Sequence, residues 1–405
     1  MLAVIETHPV QYHAPVYRDL QMRFGIPVTA IYGSDFSVAG YRDHEFGADF
    51  AWDTDLLSGH TPVFLSQVSG RGARSFEEVS ARGIGQALRR VAPKAVLLVG
   101  YSPHFNQVAF YEAWRGRYPI LFRGETADHT RQRSPIKASV RDQTLRWGYK
   151  RIAKLLYIGK HSYQHYKGLN CPDEKLIFSP YCVDISPFET DETARARLRP
   201  ATRHRLGIDD GQTVLLFSGK LSHRKGPGLL LQAIKQLPSA AREKLVVVFL
   251  GSGQLLAELK QMAQAAPPVK AIFLGFQNQT QLSGYYHAAD LLILPSRAGE
   301  TWGLVVNEAL HHGLPCVVSE AVGCAPDLID HGITGYTFET GSSYSLALLL
   351  QQALGLVGCH NVRQSCRQKV SDYSVENAAR GIAEAYWQVV GAVTDHQPLH
   401  LGTTL

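Results

Sequence analysis

The chain lacks the patterns by which several protein classes are recognised. Its 6 cysteines are scattered, with no C-x-x-C pair and no histidine spacing suited to zinc. That excludes a disulfide scaffold or zinc module and points to reduced thiols. No apolar run reaches membrane-spanning length, and the longest near the end, 346–357, is broken by Gln351-Gln352. No basic stretch precedes the first apolar run, Leu2–Ile5, so it reads as a strand and not as a secretory leader. The fingerprint G-x-G-x-x-G is missing after that strand, which argues against a nicotinamide-dinucleotide domain. No repeat recurs at solenoid periods.

What is present suits an α/β protein. A length of 405 residues, 45% hydrophobic and 19% charged, fits two domains, each with its own core. Short apolar runs at 2–6, 28–32, 95–99, 120–122 and 155–158 read as buried parallel strands separated by helices. The alternation restarts at 213–218, 245–250, 271–274, 291–294 and 316–319. The stretch 189–211, rich in charge, Thr and Pro, reads as the linker, and residues after Thr394 as a frayed tail. In such sheets ligands sit beyond the carboxyl ends of strands. The loops there offer His8, Gln11 and His13, then His104, then Arg123 and Glu125 in the first half. The second half offers Gly219, Lys220 and Lys225, then Gly251, then Phe276 and Gln277.

The densest stretch runs from Leu291 to Phe338: strand, glycine loop, helix, strand. Glu300 stands before the helix and Glu308 inside it, eight positions on. That is a little over two helical turns, about 12 Å, so the pair brackets one ligand along the helix axis. The helix start, with Thr301, Trp302, Gly303 and Leu304, suits an anionic group. Net charge is a modest +6. Basic residues gather in 131–154, at Arg131, Arg133, Lys137, Arg141, Arg146, Lys150, Arg151 and Lys154. They read as a solvated helix face, or one facing an anionic membrane or a phosphate-bearing acceptor. Nucleic acid is not expected, since neither stacking aromatics nor a recognised motif accompanies the charge.

Pro295-Ser296, Glu300-Thr301-Trp302-Gly303, Asn307-Glu308-Ala309, Gly313-x-Pro315 and Gly332-x-x-Gly335-Tyr336 together resemble the sugar-nucleotide site of retaining GT-B glycosyltransferases of the family-four, group 1 type. The first loop, His8-Pro9-Val10-Gln11-Tyr12-His13, is similar to a bacterial subgroup reading H-P-x-Q-Y-H. The resemblance implies two facing Rossmann-like domains with a cleft between them. Residues 1–190 would form the acceptor-side domain, 191–374 the nucleotide-sugar domain, and a last helix at 375–390 would cross back.

It implies donor contacts from Gly219, Lys220, Lys225, Gly251, Phe276, Gln277, Glu300, the amides of Thr301–Leu304, and Glu308. Acceptor contacts would come from His8, Gln11, His13, His104, Arg123 and Glu125, with Lys220, Lys225, Glu300 and Glu125 acting in catalysis. Relatives carry a sugar-facing histidine near the place of Glu125, and His129 follows four residues on. Two lysines in one loop offset charge growing on a leaving diphosphate, which makes a metal dispensable. Asp53-Thr54-Asp55 does not end an apolar strand, as the metal-binding D-x-D of the other glycosyltransferase architecture would, and reads as a polar turn beside the acceptor cleft. The expected activity is retaining transfer of a hexose from a UDP-sugar to a hydroxyl acceptor, with no cofactor. A UDP-sugar hydrolase or 2-epimerase, or a non-catalytic sugar-nucleotide binder, is the alternative. A cytoplasmic location, peripheral to the membrane through 131–154, accompanies this reading. Lys225→Ala is expected to abolish transfer with little loss of folding.

Overall fold

The computed structural model describes residues 1–43, 48–50, 54–70, 72–125, 128, 134–265 and 269–391. Asp53, His129, Arg131, Arg133 and the tail after Thr394 lie outside them. Runs such as LAVIE, AVLLV, TVLLFS and LVVVFL give strands buried on both faces, as parallel sheets covered by helices require. In chain order the strands are β1 (Leu2–Glu6), β2 (Val28–Tyr32), β3 (Tyr41–Asp43), β4 (Ala48–Phe50), β5 (Thr61–Phe64), β6 (Ala95–Val99), β7 (Ile120–Arg123), β8 (Lys154–Tyr157) and β9 (Leu176–Phe178). The second half adds β10 (Thr213–Ser218), β11 (Leu245–Leu250), β12 (Lys270–Phe273), β13 (Leu291–Leu294), β14 (Cys316–Ser319) and β15 (Gly335–Phe338).

The first sheet is parallel in the order β5-β2-β1-β6-β7-β8-β9, with Leu2 opposite both Val28 and Ala95. The second is parallel in the order β12-β11-β10-β13-β14-β15, with Thr213 opposite Leu245. The short pair β3-β4 is antiparallel. Each order reverses direction once, at β1/β6 and at β10/β13. A crevice opens at such a point because the flanking connections leave in opposite directions.

Hydrophobic clusters cover both faces of each sheet. The last helix, Val375–Val390, supplies Ala378, Ala379, Ile382, Ala383, Ala385 and Tyr386 to the core under β1, beside Leu2, Val4 and Leu20. Its small residues permit close approach: a Cβ on Gly381 would stand 2.0 Å from the Phe178 carbonyl oxygen. It thus returns to the first domain.

The 189–211 linker reading is corrected. Glu192–Arg205 forms a helix despite Pro200, capped by the Asp191 side chain accepting from the Ala194 amide. Arg199 and Arg203 bind the buried Asp290 carboxylate at 2.7 and 2.6 Å and donate to the last carbonyls of helix Gln279–Ala288. Part of the charge that marked this stretch as a linker is spent on that packing contact.

Candidate active site

Both switch points face one another, and two cavities lie between them. The loop after β10 and the turn after β12 bring Gly219, Gly251, Phe276 and Gln277 around a cavity of about 140 Å³. Glu308 closes one side, and Gln11 and Tyr12 reach in from the first domain. Gly251 is required here: its φ is +132°, and a Cβ would meet the Gly219 carbonyl oxygen at 2.0 Å.

Glu308 is almost fully buried and accepts a hydrogen bond from the Tyr286 hydroxyl at 2.6 Å. Burial pushes its carboxyl up to about 7, against the pull of Tyr286. Tyr286 is stacked on His312, whose own ring nitrogens reach the Glu308 carbonyl at 2.7 Å and Ser283 at 2.9 Å. The acid is therefore held in one orientation. Burial, then the charge of Glu308 and, more weakly, of Glu300, pushes the Tyr12 phenol well above its ordinary value. Tyr12 thus lines the cavity together with Glu308.

Glu300 lies on a pinned loop. Its carbonyl accepts from the Gly323 amide at 3.0 Å, and the Trp302 carbonyl from Cys324 at 2.9 Å. Gly303, with φ +102°, turns the chain into the helix Leu304–His311. The Glu300 carboxylate meets Lys225 Nζ at 2.5 Å, Ser296 Oγ at 2.9 Å and Arg224 at 3.7 Å. Burial works to raise this carboxyl, but Lys225 outweighs it and holds it below the ordinary value. Lys220 stands half-buried in the same loop as Lys225. Cations, a carboxylate and a helix start thus converge beyond β10 and β13, an arrangement suited to an anionic ligand beside hydroxyl groups.

A second cavity, of about 390 Å³, opens beyond β1 and β6 and is lined by Glu6, Thr7, His13, Tyr101, Asn106, Glu125 and Thr301, among others. Val10 and His13 face this cavity while Gln11 and Tyr12 face the other, so one loop serves both. His13 Nδ1 lies 2.6 Å from Glu6, which also accepts from the Tyr17 hydroxyl at 2.8 Å. Glu125 accepts from Thr301 across the cleft at 2.5 Å and from the Tyr181 hydroxyl.

Other expected residues are placed differently. Arg123 is buried and donates to the Ser179 and Pro180 carbonyls at 3.2 and 2.5 Å, with its guanidinium over the Tyr181 ring. It braces the crossover between domains and is not among the cavity-lining residues. Trp302 donates to Asn307 at 2.8 Å and packs on Tyr373 and Tyr181. His104 is exposed at the start of helix His104–Arg115. His8 packs against Phe36, and burial lowers its imidazole to about 4. Asp55 accepts from the amides of Leu57 and Ser58 at 3.0 and 3.1 Å, as a turn residue does.

Sequence reasoning missed Glu6, Arg224 and Tyr286, and quoted Ser296 in the motif without giving it a role. Glu6 carried a signal: an acid ending an otherwise apolar parallel strand. Tyr286 carried none, because only folding brings its helix against Glu308.

Residues 199–369 match the family described as Glycosyl transferases group 1. Among curated proteins the chain is similar to a lipopolysaccharide 1,2-N-acetylglucosaminetransferase of Salmonella typhimurium, 34% identical over 203 residues. That match covers 48% of this chain and 53% of the relative. It is also similar to a D-inositol 3-phosphate glycosyltransferase of Catenulispora acidiphila, 37% identical over 171 residues, covering 39% of this chain and 38% of the relative. The chain spans about half or less of the length of these curated relatives. Among solved structures, Alr3699/HepE of Anabaena in complex with UDP aligns with a TM-score of 0.69 at 19% identity, covering 96% of this chain and 99% of that one. The same protein also has a structure in complex with UDP-glucose. The architecture is therefore GT-B, with two parallel-sheet domains facing across a cleft.

Proposed function

We propose that the protein is a glycosyltransferase that moves a sugar from a nucleoside diphosphate to a hydroxyl acceptor. The observation that carries this reading is the convergence at β10/β13: Lys225 on Glu300, Lys220 beside them, the helix start at Gly303, and Glu308 two turns on. In this reading Glu308 accepts from the ribose hydroxyls, and Phe276 and Gln277 meet the base. The amides of Thr301–Leu304 hold the diphosphate, while Lys220 and Lys225 offset charge growing on the leaving phosphate. Glu300 touches the transferred sugar, and Glu125 faces it from the acceptor side.

Retention of anomeric configuration, by front-face attack with the leaving phosphate taking the acceptor proton, belongs to the same proposal. So do a hexose donor and independence from metal. UDP is the favoured nucleotide, supported by the UDP and UDP-glucose bound to the Anabaena neighbour. No single helix among the described residues is long and apolar enough to cross a membrane. Contact with an anionic membrane from the cytoplasmic side is supported by helix Pro135–Arg151, where Ile136 and Val140 are exposed beside Lys137, with Lys150 exposed near the other end.

Thermal-shift screening of UDP- and GDP-sugars, followed by mass spectrometry of products, tests the reading. The expected result is a shift with a UDP-sugar, and transfer that persists in EDTA with unchanged anomeric configuration by NMR. Release of a free or 2-epimerised sugar without an acceptor would favour the hydrolase or epimerase reading. A protein that neither binds nor turns over any nucleotide sugar would overturn the proposal.

A further inference from the structure

The cavity beyond β1 and β6 carries an unusual balance of charge and hydrogen-bonding need. Two carboxylates, Glu6 and Glu125, line it, and no lysine or arginine does among the described residues. Nearby cations among the described residues are already engaged. Arg123 donates to backbone carbonyls behind Tyr181, and Arg141, which reaches Tyr101, is matched by Asp128 and Asp142.

Among the described residues, two buried atoms here find no hydrogen-bond partner, Glu6 Oε2 and His13 Nε2. In the tautomer whose Nδ1 donates to Glu6 across 2.6 Å, the His13 ring presents Nε2 as an acceptor. Both orphaned atoms therefore ask for a donor. A hydroxyl group satisfies them. A phosphate or carboxylate supplies no donor and meets two like charges in a partly buried site.

We propose that this cavity takes the acceptor by an uncharged, hydroxyl-bearing end, a sugar or other polyol ring, and rejects acceptors whose reacting end carries phosphate or carboxylate. Glu6 and His13 would accept from its hydroxyls, while Glu125, held by Thr301, registers the ring against the second domain. This rests on the glycosyltransferase reading.

The test uses the full chain, the nucleotide sugar selected by thermal shift, and matched acceptor pairs: methyl hexosides with their 6-phosphates, and myo-inositol with its monophosphate. Product formation is followed by mass spectrometry, and UDP release is measured in parallel. The uncharged member should be used about tenfold or more faster, the scale of one poorly screened like-charge contact. Glu125→Gln should narrow that ratio, and so should Glu6→Gln if that buried variant folds. Equal or preferred use of the phosphorylated member overturns the inference. So does a ratio unmoved in Glu125→Gln, or UDP release with product from neither member. Absence of any donor binding or turnover is a different failure, that of the transferase reading itself.

Discussion

Glu308 serves binding at a cost to stability, whereas Lys225 serves both. The Glu308 carboxyl stands at about 7 in the folded chain against an ordinary 4.5, so folding favours its protonated form. Stability therefore falls as pH rises from about 4.5 to 7, and above that the cost is fully present, on the order of 3 kcal/mol. Glu308→Gln should melt above the wild type at pH 8, with the gap closing towards pH 5, as scanning calorimetry would read. The same variant should bind UDP roughly tenfold or more weakly at pH 8, because a charged hydrogen bond to the ribose is lost. Lys225→Ala should abolish transfer, but the structure revises the expectation that folding is spared. Removing Lys225 leaves the buried Glu300 with the Ser296 hydroxyl at 2.9 Å and the Arg224 guanidinium at 3.7 Å, a loss of about 3 kcal/mol. In the double variant Lys225→Ala/Glu300→Gln stability should return while activity does not, a non-additivity that denaturant titration would measure.

At the scale of elements, the apolar runs and loop positions were legible because parallel strands announce themselves as short β-branched stretches and ligands gather at their carboxyl ends. Glu300, Glu308, Gly219 and Gly251 could be placed on that ground, with the motif order supplying their roles. The helix Glu192–Arg205 was not legible, since its charges are satisfied by Asp290, nearly a hundred residues away. Arg123 was misjudged for the same reason: nothing local says that its guanidinium turns back onto the crossover carbonyls. The contact between helix Val375–Val390 and β9 makes a sharper prediction. Gly381→Val would drive a side chain into the Phe178 carbonyl, and should cost about 1–3 kcal/mol by urea titration, more if the helix detaches.

For the whole molecule, the two domains are tied by a few directional contacts around the crossover. Asp327 accepts from the Lys160 amide at 3.0 Å and from the Tyr373 hydroxyl at 2.9 Å. Asn307 donates to the Tyr181 carbonyl at 3.3 Å, and Thr301 to Glu125. Burial raises the Asp327 carboxyl, against those same donors. Thr301→Val, which removes one tie at the cleft and leaves the crossover ones, should lower acceptor turnover several-fold with a melting temperature within about 2 °C of the wild type. Ending the chain after residue 374 should be far more damaging. It uncovers the apolar faces that Ile382 and Tyr386 bury, and soluble yield should collapse.

The placement of that last helix also has a consequence in time. Strands β1 and β2 cannot complete their core until the helix at 375–390, made much later, has been synthesised. The nascent first domain must therefore wait, partly uncovered, through synthesis of the entire second domain, and its maturation is set by the arrival of that helix.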